Sequence, residues 1–195
     1  MERKFADSVT LGYACLFISG WLISMINAHW FSLLMESSGA MLVMILGGVV
    51  LAIAGIFSYI NADTLNTTLF LVLGALFFSF SLTSLMPSNA SLAALYSGFS
   101  GWIYILFAVF IFYLWLSSFG GDIARNLFLF GLWLTLLALA ISSWSSSTGF
   151  DVVGGYLGLI TSLLAGYVSA EGVIDFSKLH ISKAPTTGEA AMSHH

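Results

Sequence analysis

The chain has 195 residues, of which 59% are hydrophobic and only 7% are charged, and its mean hydropathy is +1.00. A soluble domain carries roughly a quarter charged residues, so five Lys or Arg and nine Asp or Glu cannot cover a water-exposed surface of this size. The composition therefore indicates a membrane protein. It excludes nucleic-acid binders with a basic face and, because Cys15 is the single cysteine, any disulfide scaffold.

Six apolar stretches are long enough to cross a bilayer, which takes about 20 residues in a helix. Inside hydrocarbon the backbone amides have no water to bind, so such stretches become helices. The sequence predicts an all-α membrane protein, a bundle of six transmembrane helices over residues 1–176 with a mobile cytoplasmic tail over residues 177–195. In chain order the spans run approximately over Ser8–Met25, Ser38–Ile60, Leu65–Met86, Leu92–Phe119, Arg125–Trp144 and Val153–Ile174.

The few basic residues fall on one side of this topology. Arg3 and Lys4 precede the first span, Arg125 lies between the fourth and the fifth, and Lys178 and Lys183 follow the sixth. With six crossings, these positions share one side with both termini. Because Lys and Arg near span ends are retained in the cytoplasm, the sequence predicts cytoplasmic termini for a multi-pass protein of the cell membrane.

The predicted spans carry no ionisable residue at their centres, where a charge is costly and usually functional. Glu171 is the deepest carboxylate, about one turn before the end of the sixth span. Such a carboxylate more often lies at headgroup level, but Glu171 is the best candidate for proton coupling. No His, Cys, Asp or Glu set has metal-ligand spacing and no nucleophile has a base nearby. We therefore expect no metal, no cofactor and no enzymatic activity.

Small residues form a continuous strip along the sixth span. The members of this strip recur every four residues, and the second span has a shorter version that includes Gly48. Small side chains let two helices approach closely in lipid, so the strips predict helix packing within the chain or between copies of a homo-oligomer. The strip in the sixth span consists of Gly154, Gly158, Ser162, Gly166 and Ala170.

Most polar side chains within the spans are hydroxyls and amides. Asn27 lies at the end of the first span, Thr68 lies in the third and Tyr156 lies in the sixth. Such groups bond to helix carbonyls, bond across helices, or line a narrow polar path. These three residues are candidates for lining a substrate path.

Several short motifs carry a family resemblance. Residues 154–158 read G-G-Y-L-G, Gly47-Gly48 and Ala54-Gly55 follow the pattern G-G-x-x-Q-x-x-A-G with Leu51 in place of Gln, and Gly74 keeps the glycine of S-Y-G-[AS]-F-W. On these motifs the chain resembles the acetate uptake transporter family, the GPR1/FUN34/YaaH group. The resemblance implies six spans, a homohexamer, and transport of acetate and in some members of succinate.

The resemblance also places a constriction. The matching positions are Leu16, Leu73 and Leu134, which are all aliphatic, so a path through them is more apolar than in the family. The entry motif N-P-A-P-L-G-L is reduced here to Leu11 and Gly12, which Tyr13 follows.

From these observations the sequence predicts transport of a small monocarboxylate, as a proton symporter or as a channel. A channel for a small neutral solute, such as urea or a short amide, is an alternative, since the missing charges permit it equally. A non-transporting membrane assembly protein is a third interpretation. The expected partners are the carboxylate solute, the lipid bilayer and further copies of the chain, and no nucleic acid.

Overall fold

The computed structural model describes residues 7–30, 33–85, 90–145 and 147–181. In these residues the chain forms helices connected by short turns, and no strand is found there. The helices are α1 (Ser8–Asn27), α2 (Leu33–Val43), a π-helical segment (Met44–Val50), α3 (Leu51–Ile60), α4 (Thr64–Leu85), α5 (Ala90–Ser117), α6 (Ile123–Ser145) and α7 (Thr148–Ile181).

In the part of the chain that the structure describes, six helical stretches are long and apolar enough to cross a membrane. The second of them, Ser38–Ile60, passes without a break through α2, the π-helical segment and α3, because Val43, Val50 and Leu51 all keep right-handed helical dihedral angles. The predicted six-helix membrane fold is confirmed. The side of the membrane on which the termini lie stays a prediction.

The last helix is longer than the sequence pattern indicates. α7 continues to Ile181, past the predicted end of the sixth span at Ile174. A helix leaving the membrane accepts polar residues, so charges such as that of Lys178 do not end it. The rest of the predicted tail, from residue 182, and the break at residues 86–89 lie outside the described residues.

Three aspartates begin three parallel helices at one end of the bundle. Asp7 accepts a hydrogen bond from the Val9 amide at the start of α1, Asp63 from the Asn66 amide at the start of α4, and Asp122 from Ala124 near the start of α6. A carboxylate at this position satisfies free amides and complements the helix dipole. We call this end of the bundle the Asp63 end.

The same end also holds α1 against the turn after α3. The hydroxyls of Ser8 and Ser58 lie 3.1 Å apart, and the Asn61 amide donates to Ser8 at 3.4 Å. At the opposite end, which we call the Asn27 end, Trp30 packs edge-on against Tyr156. α1, α4 and α6 thus run from the Asp63 end to the Asn27 end.

α7 packs along both α1 and α6, and its small residues make these contacts close. A Cβ atom at Gly154 would lie 2.9 Å from a methyl carbon of Leu139 in α6, and one at Gly166 would lie 3.1 Å from the ring of Phe17 in α1. In the second span, a Cβ at Gly48 would lie 3.0 Å from Phe78 of α4. These glycines therefore lie at helix contacts within the chain.

Candidate functional site

A cavity lies between α1, α4, α5, α6 and α7. Its volume, counted as the space open to the centre of a water molecule, is about 70 Å³. Because one water needs about 10–15 Å³ by this measure, the space suits a few waters or one small solute. The lining residues are uncharged: Leu16, Gly20, Ile23, Ser24, Asn27, Leu73, Leu76, Phe77, Phe80, Tyr104, Phe128, Leu132, Thr135, Leu136, Leu139, Gly158, Thr161 and Ser162.

Four hydroxyl groups in this lining are oriented by their own helices. Ser24 donates to the Gly20 carbonyl at 2.6 Å, Thr135 to that of Gly131 at 2.9 Å, and Thr161 to that of Leu157 at 2.8 Å. Ser162 donates to the Gly158 carbonyl in the same way, at 2.8 Å. Since the protons of these four hydroxyls are engaged, their oxygens keep lone pairs with which to accept a hydrogen bond.

Asn27 supplies an amide to the same cavity. The residue ends α1 and is partly buried, and its amide is both a hydrogen-bond donor and an acceptor. The cavity therefore combines an apolar wall, hydroxyl acceptors and one amide that donates. This combination suits a small solute with one polar group and a short apolar part.

Two of the three residues of the predicted constriction lie together at the cavity. Leu16 and Leu73 are buried, at 3% and 0% exposure, and both line the cavity. Leu134 lies outside the lining, because the face of α6 that meets the cavity carries Leu132, Thr135 and Leu136. These positions follow the spacing of one helix face, and residue 134 points away from that face.

Two of the predicted path residues lie elsewhere. Thr68 donates to the Thr64 carbonyl at 2.7 Å and is absent from the cavity lining. Tyr156 is 50% exposed and packs against Trp30 at the Asn27 end. The face of α7 that lines the cavity carries Gly158, Thr161 and Ser162 instead, so part of the small-residue strip lines the cavity as well as packing on α1.

Glu171, the candidate for proton coupling, has an exposed side chain on α7 beyond the lining residues. Gly172, its neighbour, faces Thr10 near the start of α1, so this turn of α7 lies towards the Asp63 end. Within the described residues, no three His, Cys, Asp or Glu side chains are grouped closely enough to hold a metal ion.

Sequence reasoning missed Tyr104, Thr135 and Leu132 as lining residues. Thr135 and Leu132 share a helix face with Leu136 and Leu139, and this spacing was visible in the sequence. It does not identify a cavity, however, because a leucine-rich face suits lipid and a neighbouring helix equally well. The hydroxyl of Tyr104 marks it as a polar group inside the span, but Tyr113 on the same helix also has a hydroxyl and is exposed, so the hydroxyl alone does not identify a lining residue.

Comparison with known proteins gives a consistent result. The sequence model of the GPR1/FUN34/yaaH family matches residues 1–187. Accumulation of dyads protein 2 of Saccharomyces cerevisiae is 26% identical over 189 residues, which cover 94% of this chain and 66% of the yeast protein. Ammonia transport outward protein 3 of the same yeast is 26% identical over 169 residues, which cover 85% of this chain and 62% of that protein. The chain thus spans about two thirds of the length of these relatives.

A solved structure is also similar. The bacterial acetate channel SatP superimposes with a TM-score of 0.79, over 89% of this chain and 95% of that chain, at 19% sequence identity. At this identity the likeness shows a shared fold.

Proposed function

Because the chain belongs to the GPR1/FUN34/yaaH family, we propose that it transports a small monocarboxylate, with acetate as the first substrate, across a membrane. The solute crosses through the cavity between α1, α4, α5, α6 and α7. The observation that carries this proposal is the uncharged lining with one amide and several hydroxyl acceptors. Acetate has one polar group and one methyl, and its size fits the space.

The lining favours the protonated form of the solute. A carboxylate has only acceptor atoms, and leaving its charge in a mostly apolar cavity with few donors and no counter-charge among the described lining residues is costly. A neutral carboxylic acid adds an O–H donor, which the oxygens of Ser24, Thr135 and Thr161 accept. The solute therefore crosses as the neutral acid, or together with a proton. Glu171 is the candidate carrier if the proton travels on the protein.

Leu16 and Leu73 narrow the path on the side of the cavity nearer the Asp63 end. A hydrophobic constriction removes water from a solute and resists ions, which keep their hydration shell. The remaining predicted path residues, Thr68, Tyr156 and Leu134, belong to this proposal only if another conformation brings them to the path.

We further propose that the chain forms a homo-oligomer, a hexamer by its family resemblance, with one path in each copy. A shallow apolar groove between α5 and α6, lined by Val109, Phe112 and Trp133 among others, is a surface that a neighbouring copy or lipid covers. Native mass spectrometry of the detergent-solubilised protein measures the copy number directly. A monomer at all detergent concentrations would contradict the hexamer and leave the transport proposal intact.

The direct test of transport is uptake of labelled acetate by proteoliposomes, with and without an inward proton gradient. We expect uptake above that of protein-free vesicles, and stimulation by the gradient. Succinate, which has two carboxyl groups, is expected to compete weakly, because the lining has one amide. Uptake equal to that of protein-free vesicles would overturn the proposal.

A second candidate is passage of a small neutral solute such as ammonia, urea or a short amide. The uncharged lining suits such a solute too, and one yeast relative carries the name ammonia transport outward protein 3. The same vesicles discriminate the two candidates. Urea flux that is indifferent to pH and is not reduced by acetate favours the second candidate.

A further inference from the structure

Three aromatic rings close the bundle between the cavity and the Asp63 end. Tyr13 lies about one turn before Leu16 on α1, Phe70 lies one turn before Leu73 on α4, and Phe128 belongs to α6. The ring centroids of Tyr13 and Phe70 are 5.5 Å apart and those of Tyr13 and Phe128 are 5.4 Å apart, both edge-on. Tyr13 thus joins three helices that each line the cavity, and Phe128 itself forms part of the lining.

This ring layer is fully packed. Tyr13 and Phe70 are 0% exposed and Phe128 is 3% exposed. Gly12 lies directly against the ring of Phe70, in the place that a side chain at position 12 would need. On the proposed path, a solute that leaves the cavity towards the Asp63 end passes these rings.

The Tyr13 hydroxyl has no hydrogen-bond partner, although it is buried. A buried hydroxyl without a partner destabilises the folded protein, and a phenylalanine ring would fill the same space without this cost. On the proposed path, an unpaired donor between the cavity and the Asp63 end indicates that its partner is the solute. Packing alone gives no reason for tyrosine at this position.

Further polar groups without hydrogen-bond partners lie on α4 and α6, between the rings and the Asp63 end. Asn66, one turn before Phe70 on α4, donates to Asp63 at 2.7 Å, but its amide oxygen is buried and accepts nothing. Arg125, one turn before Phe128 on α6, has an unpaired Nε. The chain therefore offers donors and an acceptor in sequence as a solute approaches the Asp63 end.

We infer that Tyr13 is a solute-recognising residue of the transport path: as the small carboxylic acid crosses the ring layer, the Tyr13 hydroxyl donates a hydrogen bond to its carboxyl oxygen. Asn66 then accepts from the acid O–H on the far side of the layer. This inference rests on the proposed transport function. It adds a recognition step beyond Leu16 and Leu73, at a position where the family motif L-G-L has leucine and this chain has Tyr13.

The test compares Tyr13→Phe with the wild type and with Tyr167→Phe, the same change at an exposed position of α7. Acetate uptake kinetics and the thermal unfolding midpoint are measured on the same reconstituted preparations. We expect Tyr13→Phe to raise the midpoint, because it removes an unpaired buried hydroxyl. We expect the maximal uptake rate to fall about tenfold, the effect of one lost hydrogen bond at the barrier, with the apparent KM unchanged because the cavity is untouched.

A higher thermal unfolding midpoint of Tyr13→Phe, together with a maximal uptake rate within twofold of the wild type, would overturn the inference. The hydroxyl would then have no role in transport. A lower midpoint and a lost rate in Tyr13→Phe alone, restored by neither lower temperature nor added lipid, would also overturn it, since the hydroxyl would then be structural. If the wild type itself takes up no acetate, the proposed function fails first. Uptake by the wild type with an unaffected Tyr13→Phe variant leaves that function standing and removes only this step.

Discussion

Gly155 of α7 lies so close to Ala28 that a Cβ atom at position 155 would come within 2.5 Å of the Ala28 backbone nitrogen. Ala28 caps α1 directly after Asn27, and its amide donates to the Ser24 carbonyl at 2.9 Å. The contact between these two backbones therefore sets the position of Asn27 at the cavity. It also gives a physical reason for the second glycine of G-G-Y-L-G, where side-chain flexibility cannot relieve a clash with backbone.

Gly155→Ala is expected to destabilise the protein by about 1–3 kcal/mol through overpacking. The thermal unfolding midpoint in detergent micelles measures this loss. Because the end of α1 must move to make room, acetate uptake per folded molecule is expected to fall as well. The matched control is Gly39→Ala, also in a helix, where a Cβ would meet only a methyl group of Ile26 at 3.6 Å.

Gly39→Ala is expected to be neutral or slightly stabilising, because alanine favours the helix more than glycine does. Equal midpoints for the two variants would contradict the contact between Gly155 and Ala28 as a determinant of packing.

Leu16→Ala is expected to widen the path next to the cavity and to relax the selection by size. Leu16 is 3% exposed and faces the cavity, so the change removes bulk where the solute has to pass. One methylene in an apolar site changes discrimination roughly 10- to 200-fold, so we expect the ratio of butyrate to acetate uptake to rise about tenfold. Competition between labelled acetate and unlabelled butyrate measures this ratio.

Leu11→Ala serves as its control, since Leu11 lies on the same helix and is 44% exposed. An unchanged ratio in Leu16→Ala, or the same change in both variants, would place the constriction elsewhere on the path.

Asn27→Leu is expected to weaken solute binding in the cavity. Among the described lining residues, Asn27 supplies the only side-chain amide, and one lost hydrogen bond of about 1.4 kcal/mol corresponds to a tenfold weaker affinity. The apparent KM for acetate should therefore rise about tenfold. The control Asn126→Leu removes an amide whose oxygen accepts from the Trp115 indole at 2.8 Å, outside the cavity; it is expected to lower stability and leave the KM unchanged.

The sequence predicts the helices well because membrane spans are set by length and hydropathy, which are local properties. Leu33–Ile60 contains a π-helical segment that no pattern in the sequence marked, since its apolar residues fit either kind of helix. Hydropathy does not predict the extension of α7 to Ile181 for a related reason. A helix that leaves the membrane no longer needs apolar residues, but its backbone can stay helical in water.

The site is less predictable, because in a membrane protein an apolar side chain suits lipid, a helix contact or a cavity equally. The family resemblance predicts Leu16 and Leu73, the amide at the end of the first span predicts Asn27, and all three line the cavity. Leu134 lies outside it, since a shift of two positions along α6 turns a side chain to another face. Tyr13 was noticed only as a departure from a motif, because a missing hydrogen-bond partner is a property of three-dimensional packing.

Acetate uptake is expected to fall as the pH rises, in proportion to the neutral acid. A carboxyl group of this kind has a pKa of about 4.3, so above that value each pH unit lowers the neutral fraction about tenfold. Between pH 5.5 and 7.5, at constant total acetate, the protein-dependent uptake should therefore fall by about 100-fold. Protein-free vesicles, measured in parallel, give the leak of acetic acid through lipid, which is subtracted.

Glu171→Gln separates the two ways of carrying the proton. If the proton travels on the solute, the variant keeps the wild-type pH profile, because Glu171 is exposed and lies outside the cavity lining. This is the expected result, because the hydroxyl oxygens of the lining accept a hydrogen bond from the O–H of the neutral acid. The proton then crosses on the solute and Glu171 is not needed to carry it. A profile that becomes flat in Glu171→Gln, while Asp175→Asn on the same helix keeps the wild-type profile, would instead assign the proton to Glu171 and leave acetate to cross as the anion.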